Sequence, residues 1–112
     1  MAPTPARAQG NTYLFLAALV LRPGAVQVTA LRNVTAREGY DNQPAFSRDG
    51  RTLYFTSTRE DAQADIYAYA LADGTMSRVT RTAPESEYSA TEVPDGGALS
   101  VIRVERDSTQ RL

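Results

Sequence analysis

Two polar clusters carry the residue types that could do chemistry in this chain. Arg37, Glu38, Tyr40, Asp41, Asn42 and Gln43 form the first, and Glu85, Glu87 and Tyr88 follow one repeat later. Tyrosine, amide and carboxylate side chains gathered on neighbouring loops suit the binding of a peptide or a small polar ligand. A third group, Arg59, Glu60, Asp61 and Asp65, mixes charges of both signs. Asp61 and Asp65 suggest a cation site, but their spacing matches no calcium loop and the loop's glycine is missing. Pairing of Arg59 with a carboxylate is the reading favoured for that group. The candidate binding residues are therefore Tyr40, Asp41, Asn42, Gln43, Arg59, Glu60, Glu87 and Tyr88. Any one of them also serves as a solvated strand cap, so the binding reading applies to the set.

Composition excludes several other chemistries. The chain has no histidine and no cysteine. That removes the commonest general base, thiol nucleophiles, thiolate metal sites and disulfides. Serines lack a histidine to activate them, and no Gly-x-Ser-x-Gly, phosphate loop or dinucleotide fingerprint occurs. No catalytic residue, metal ligand or cofactor is assigned, and the chain is read as not an enzyme. The net charge of −1 gives no basic field for nucleic acid. The aromatic residues Tyr13, Phe15, Phe46, Tyr54, Phe55, Tyr67 and Tyr69 are accordingly read as core, not as a base-stacking platform. No apolar run reaches the ~20 residues of a spanning helix. The longest, Tyr13 to Leu21, suits the apolar part of a secretory signal, a buried helix or a strand. The strand is favoured by analogy with the later repeat. Asn33-Val34-Thr35 matches a glycosylation acceptor but falls in an expected strand.

The elements that must position these residues repeat. Asp49-Gly50 returns as Asp95-Gly96, 46 residues on, and Val34-Thr35 returns as Val79-Thr80, 45 residues on. Strands are expected at 12–21, 26–35, 44–47, 52–57, 66–71, 76–80, 89–93 and 98–104, with a further one starting near 109. Turns are expected at Arg22-Pro23-Gly24, Asp49-Gly50, Asp73-Gly74 and Asp95-Gly96-Gly97. No segment shows a helical period. Short strands with Asp-Gly turns at a period of ~40–45 residues suit the blades of a β-propeller, each of which needs neighbours to bury its faces. The expected fold class is all-β, a partial propeller of four-stranded antiparallel blades with about two blades' worth of strands and no significant helix.

Pro44-Ala45-Phe46-Ser47-Arg48-Asp49-Gly50-Arg51, then Leu53 to Ser57, Arg59 and Asp65-Ile66-Tyr67, closely resembles the PD40 repeat, a WD40-like repeat of TolB-type propellers and of some peptidase propeller domains. The usual form is Pro-x-Phe-Ser-Pro-Asp-Gly, an apolar strand ending in Thr-Ser, then Arg, then Asp-Ile-Tyr. Arg48 stands where that family has proline. In the more divergent second copy, Pro94-Asp95-Gly96 keeps the turn while Thr91-Glu92 replaces Phe-Ser. The resemblance covers residues 32–112 well and 12–31 loosely. It speaks for fold more than for function, which resides in sites grafted on folds.

The resemblance implies strands lettered A to D outward from a central channel. Residues 12–35 then form C–D of an incomplete blade, 36–81 a complete blade, and 82–112 A–B of the next. Residues 1–11 read as a disordered tail. Ala6 and Ala8 within it form an A-x-A pattern, which suits the remnant of a signal peptide cleaved after Ala8. The implied protein is a periplasmic or secreted bacterial module that binds or scaffolds protein or peptide partners. Three copies joined head to tail would supply six blades; an arbitrary piece of a larger propeller is the alternative origin of the broken repeat. The accessory propeller of a serine peptidase or other hydrolase is the alternative function.

Overall fold

The computed structural model describes residues 10–112. These form nine strands and no helix, in three open antiparallel sheets. β1 (Phe15–Arg22) and β2 (Ala25–Asn33) make a two-stranded sheet. β3 (Asp41–Phe46), β4 (Thr52–Ser57), β5 (Asp65–Ala70) and β6 (Met76–Arg78) lie in sequence order in a four-stranded sheet. β7 (Ser86–Glu92), β8 (Leu99–Val104) and β9 (Gln110–Arg111) form the third. The all-β expectation holds. No described helix is long and apolar enough to cross a membrane. The tail expected over residues 1–11 falls, for residues 1–9, outside the described residues.

Several boundaries differ from those expected, for local reasons. Residues 41–43 were expected in a polar connection, yet β3 begins at Asp41. Pro44 was expected to open that strand and instead sits inside it. The β3–β4 register shifts between Asn42 and Ala45, so the residue without an N–H occupies a bulge. β7 likewise begins earlier, at Ser86, and shifts register on β8 between Tyr88 and Thr91. Gln43 and Ser89 take positive φ in the two bulges, 52° and 54°, which few non-glycine residues do. β6 stops at Arg78 because Thr80 turns its hydroxyl back to accept the Ile66 N–H at 2.9 Å.

The bulges are one of two structural echoes. Thr35 Oγ1 accepts the Leu14 N–H at 3.0 Å, as Thr80 does from Ile66. Val34 N donates to Leu14 O at 2.9 Å and Val79 N to Ile66 O at 2.8 Å. One clamp thus closes both the β1–β2 and the β5–β6 hairpins, while β3–β4 and β7–β8 share bulge and turn.

The four-stranded sheet is covered on both faces. Leu53, Phe55, Tyr67 and Tyr69 share one face by register, and Leu14 packs on them with Val34 alongside. The Phe55 and Tyr67 rings are 6.0 Å apart and tilted by 30°. The opposite face, which carries Thr56 and Ile66, meets β7, where Ser89 N donates to Thr56 Oγ1 at 3.3 Å. The β1–β2 hairpin behaves differently. Its stem is held by Leu14 and Val34, but among the described residues no other strand packs on its blades. Phe15, Leu19, Leu21, Val26, Val28 and Leu31 are 59–74% exposed there.

The turns are fastened by carboxylates. Asp49, Asp73 and Asp107 each accept a backbone N–H two residues on, from Arg51 (3.0 Å), Thr75 (2.9 Å) and Thr109 (2.9 Å). Ser47 links the first turn to the ladder, donating to Asp49 Oδ1 at 2.6 Å and accepting the Thr52 N–H at 3.0 Å. Hydrogen bonds, from Ser47 first and Arg51 second, hold the Asp49 pKa below its ordinary 3.8, and those from Thr75 and Thr109 do the same for Asp73 and Asp107. A carboxyl group with a depressed folded pKa stabilises above its ordinary value and stops doing so as pH falls through the depressed one. The unfolding midpoint in urea should therefore fall between pH 7 and the acid side of 3.8. In the variant D49N/D73N/D107N that fall should shrink; an equal fall would show that these turns do not carry the acid sensitivity.

Candidate functional site

Seven of the eight candidate residues lie in or beside three places, and Glu87 is buried apart from them. The first is an interior ion-pair cluster. Asp41 is 1% exposed, and its N–H donates to Thr12 Oγ1 at 3.0 Å. Its Oδ1 accepts from Ser57 Oγ at 2.6 Å and from Arg37 Nη2 at 3.0 Å. Arg59 Nη2 lies 3.6 Å from the same oxygen. The Arg59 guanidinium also stands 5.5 Å above the Phe55 ring and 5.7 Å from Tyr67. Burial lowers the Arg59 pKa, against the attraction of Asp41. Burial, with the charge of Glu60 next in weight, raises that of the Tyr67 phenol. Tyr40 joins this cluster through its carbonyl, which accepts from Thr58 N at 3.1 Å. Asp41 was read as a loop residue available to a ligand. The structure corrects its placement: it lies in the strand, buried, with Oδ1 facing two guanidiniums and Oδ2 without a hydrogen-bond partner.

The second place is a hub at Arg78. Glu60 pairs with it at 3.2 Å and Asp65 at 2.8 Å, and Asp61 hydrogen-bonds it as well. The bond to Asp61 above all raises the Arg78 pKa, outweighing burial, so the guanidinium stays charged. The carboxylates that suggested a cation site thus converge on an arginine. Arg59, expected to pair with a carboxylate, does so with Asp41, in the same cross-strand row as Asp65.

The third place is open to solvent. Gln43, Tyr88, Ser89, Ile102, Val104 and Gln110 line a cleft of about 340 Å³ at the seam between β3 and β7. Gln43 Oε1 ties the seam together, accepting from Thr56 Oγ1 at 3.0 Å and from Ser89 N at 3.1 Å. The bulges aim both residues here, since a bulge turns a side chain out of the alternation that a regular strand would impose. No known family model matches the chain, and no curated protein does.

Asn42 sits beside the cleft, where its Oδ1 accepts the Gln43 N–H at 2.7 Å. Glu87 is not part of it: 1% exposed, it accepts from the Thr82 hydroxyl, and its N–H donates to Ala64 O at 2.9 Å. Of the eight candidates, the structure brings only Gln43 and Tyr88 to one open surface. Sequence reasoning missed Ser89, Ile102, Val104 and Gln110 there, and Arg37 and Arg78 as organising cations. The 46-residue spacing offered one usable signal, since it places Ser89 opposite Gln43 and Glu87 opposite Asp41.

Chemically, the cleft offers two amides, a phenol and a hydroxyl above an apolar floor. Such a lining can accept and donate to an extended peptide backbone while holding one or two of its side chains.

Proposed function

We propose that this chain is a non-catalytic, propeller-type module of the TolB/PD40 kind that binds or scaffolds protein or peptide partners in the bacterial cell envelope. The observation that supports it is the paired bulge at Gln43 and Ser89, which opens a mixed polar and apolar cleft between two equivalent hairpins. Non-glycine residues at positive φ are costly and cluster at ligand-binding positions. A rigid sheet that carries them is the arrangement by which repeat folds present binding surfaces. Export to the periplasm or beyond belongs to the same proposal, through the resemblance to envelope propellers.

The test is a selection of displayed random peptides on the intact chain, followed by calorimetric titration. Tyr88 supplies a ring and a hydroxyl to the lining of the cleft, the profile of an anchor residue. Tyr88→Ala should weaken a selected peptide about tenfold or more, a loss of about 1.4 kcal/mol or above. Recovery of no peptide, or peptides indifferent to Tyr88→Ala, would overturn the reading.

A further inference from the structure

We infer that Gln43 is the residue through which the cleft recognises its ligand: its side-chain NH2 donates to a backbone carbonyl of an extended, uncharged peptide segment. The inference rests on the binding-module reading and adds the recognising group and the chemistry it selects.

Gln43 does not suit its own backbone. Its φ is 52°, a region that glycine, asparagine and aspartate enter far more readily. Any of those would serve if the bulge alone mattered. Glutamine carries one more methylene than asparagine, and that length is used. Oε1 reaches across the seam and accepts from Thr56 Oγ1 at 3.0 Å and from Ser89 N at 3.1 Å.

Those two bonds also fix which way the amide points. A backbone N–H can only donate, so the Gln43 atom that faces Ser89 N is the oxygen. The NH2 therefore lies on the other side of the amide, where Gln43 lines the cleft, and no described residue accepts from it. The main-chain donors beside it are spent. Asn42 Oδ1 takes the Gln43 N–H at 2.7 Å, and Gln43 Oε1 holds the Ser89 N–H. Pro44, next along the bulge, has no N–H to offer. What β3 presents to a ligand is thus one oriented pair of side-chain N–H groups, which calls for an acceptor.

The lining decides which acceptor. None of Gln43, Tyr88, Ser89, Ile102, Val104 and Gln110 is charged. A carboxylate or phosphate entering here loses water and gains no cation, a cost that a neutral carbonyl escapes. A peptide carbonyl is neutral and a strong acceptor. The hydroxyls of Tyr88 and Ser89 can receive the N–H groups that come with it, and Ile102 and Val104 give an adjoining side chain an apolar floor. Because Thr56 and Ser89 hold the amide in place beforehand, little ordering is left for the binding step.

Gln43→Glu separates recognition from packing. Glutamate has the same reach and still accepts from the Ser89 N–H and the Thr56 hydroxyl, but it brings no N–H to the cleft. Gln43→Met loses the seam bonds as well. The urea midpoint of Gln43→Glu should stay closer to the parent's than to that of Gln43→Met. A peptide selected on the parent chain should nonetheless bind Gln43→Glu about tenfold more weakly or worse, since its carbonyl then meets another acceptor. Parental affinity in Gln43→Glu overturns the inference, and so does a midpoint as low as that of Gln43→Met. A second readout needs no selected peptide. N-acetyl-trialanine N-methylamide, which has backbone carbonyls and no charge, is titrated into the isotope-labelled chain and followed by NMR. The Gln43 NH2 resonances should shift saturably, and N-acetyl-trialanine with its free carboxylate should bind more weakly. Saturable shifts at Tyr88 and Ile102 that leave the Gln43 NH2 unmoved, or tighter binding of the carboxylate, overturn the role of Gln43 and leave the cleft a binding site. No saturable shift at any lining residue removes the binding reading itself, and this inference with it.

Discussion

Replacing Phe55 by alanine is expected to remove a large share of the chain's stability at 25 °C. The ring is fully buried, lies 6.0 Å from Tyr67 and carries the Arg59 guanidinium on its face. Removing a buried phenylalanine ring costs about 3–5 kcal/mol, as transfer energy plus an unfilled cavity. Domains hold about 5–15 kcal/mol in total, and the β1–β2 hairpin adds length here with little burial. Phe46→Ala is the control. Phe46 is 55% exposed at the end of β3, and exposed sites of this kind change stability by about 0.5 kcal/mol or less. Urea unfolding followed by circular dichroism gives both values. A loss below about 1 kcal/mol for Phe55→Ala would mean that the core lies elsewhere.

Asp41→Ala should be the next most damaging change. One buried carboxylate neutralises Arg37 and Arg59 and receives the Ser57 hydroxyl. Its removal leaves two cations facing each other with no counter-charge. Deleting one partner of a buried pair costs about 3–5 kcal/mol. Both guanidiniums keep some solvent, with side chains 25% and 20% exposed, so the lower end applies, about 3 kcal/mol. Asp41→Asn should fall between the variant and the parent, since an amide oxygen still accepts from Ser57 and Arg37. Glu60→Ala, which removes the exposed partner of Arg78, should cost about 0.5 kcal/mol or less. Equal losses for Asp41→Ala and Glu60→Ala in urea would show that burial does not distinguish the two clusters.

What the sequence made legible was mostly local. The Asp-Gly turns follow from glycine's freedom at positive φ, and Gly50, Gly74 and Gly96 adopt it, at 70°, 74° and 77°. The dense β-branched and aromatic run of β4 is equally plain. Asp41 was not legible as a strand residue, because a carboxylate inside a sheet is stable only when cations reach it. Arg37, four residues before it, folds back from a loop, but Arg59 arrives from beyond β4, and that second approach leaves no mark in the local pattern. The cleft was half legible. Gln43 and Tyr88 stood out as residue types, but Ser89 drew no attention until the two bulges placed it opposite Gln43. The apolar run of β1 was legible as a strand, but not its surroundings: apolar residues on both faces usually mean a strand packed on both sides, and among the described residues no other strand but β2 meets it.

That uncovered hairpin is also the part of the chain most open to attack. Ribbons of two strands open readily, and opened backbone is what proteases cut. Both cationic groups on the hairpin are arginines, and it lacks the lysines that usually guard a free edge. The hairpin is thus the place where the chain is first cut or first sticks to a wrong neighbour.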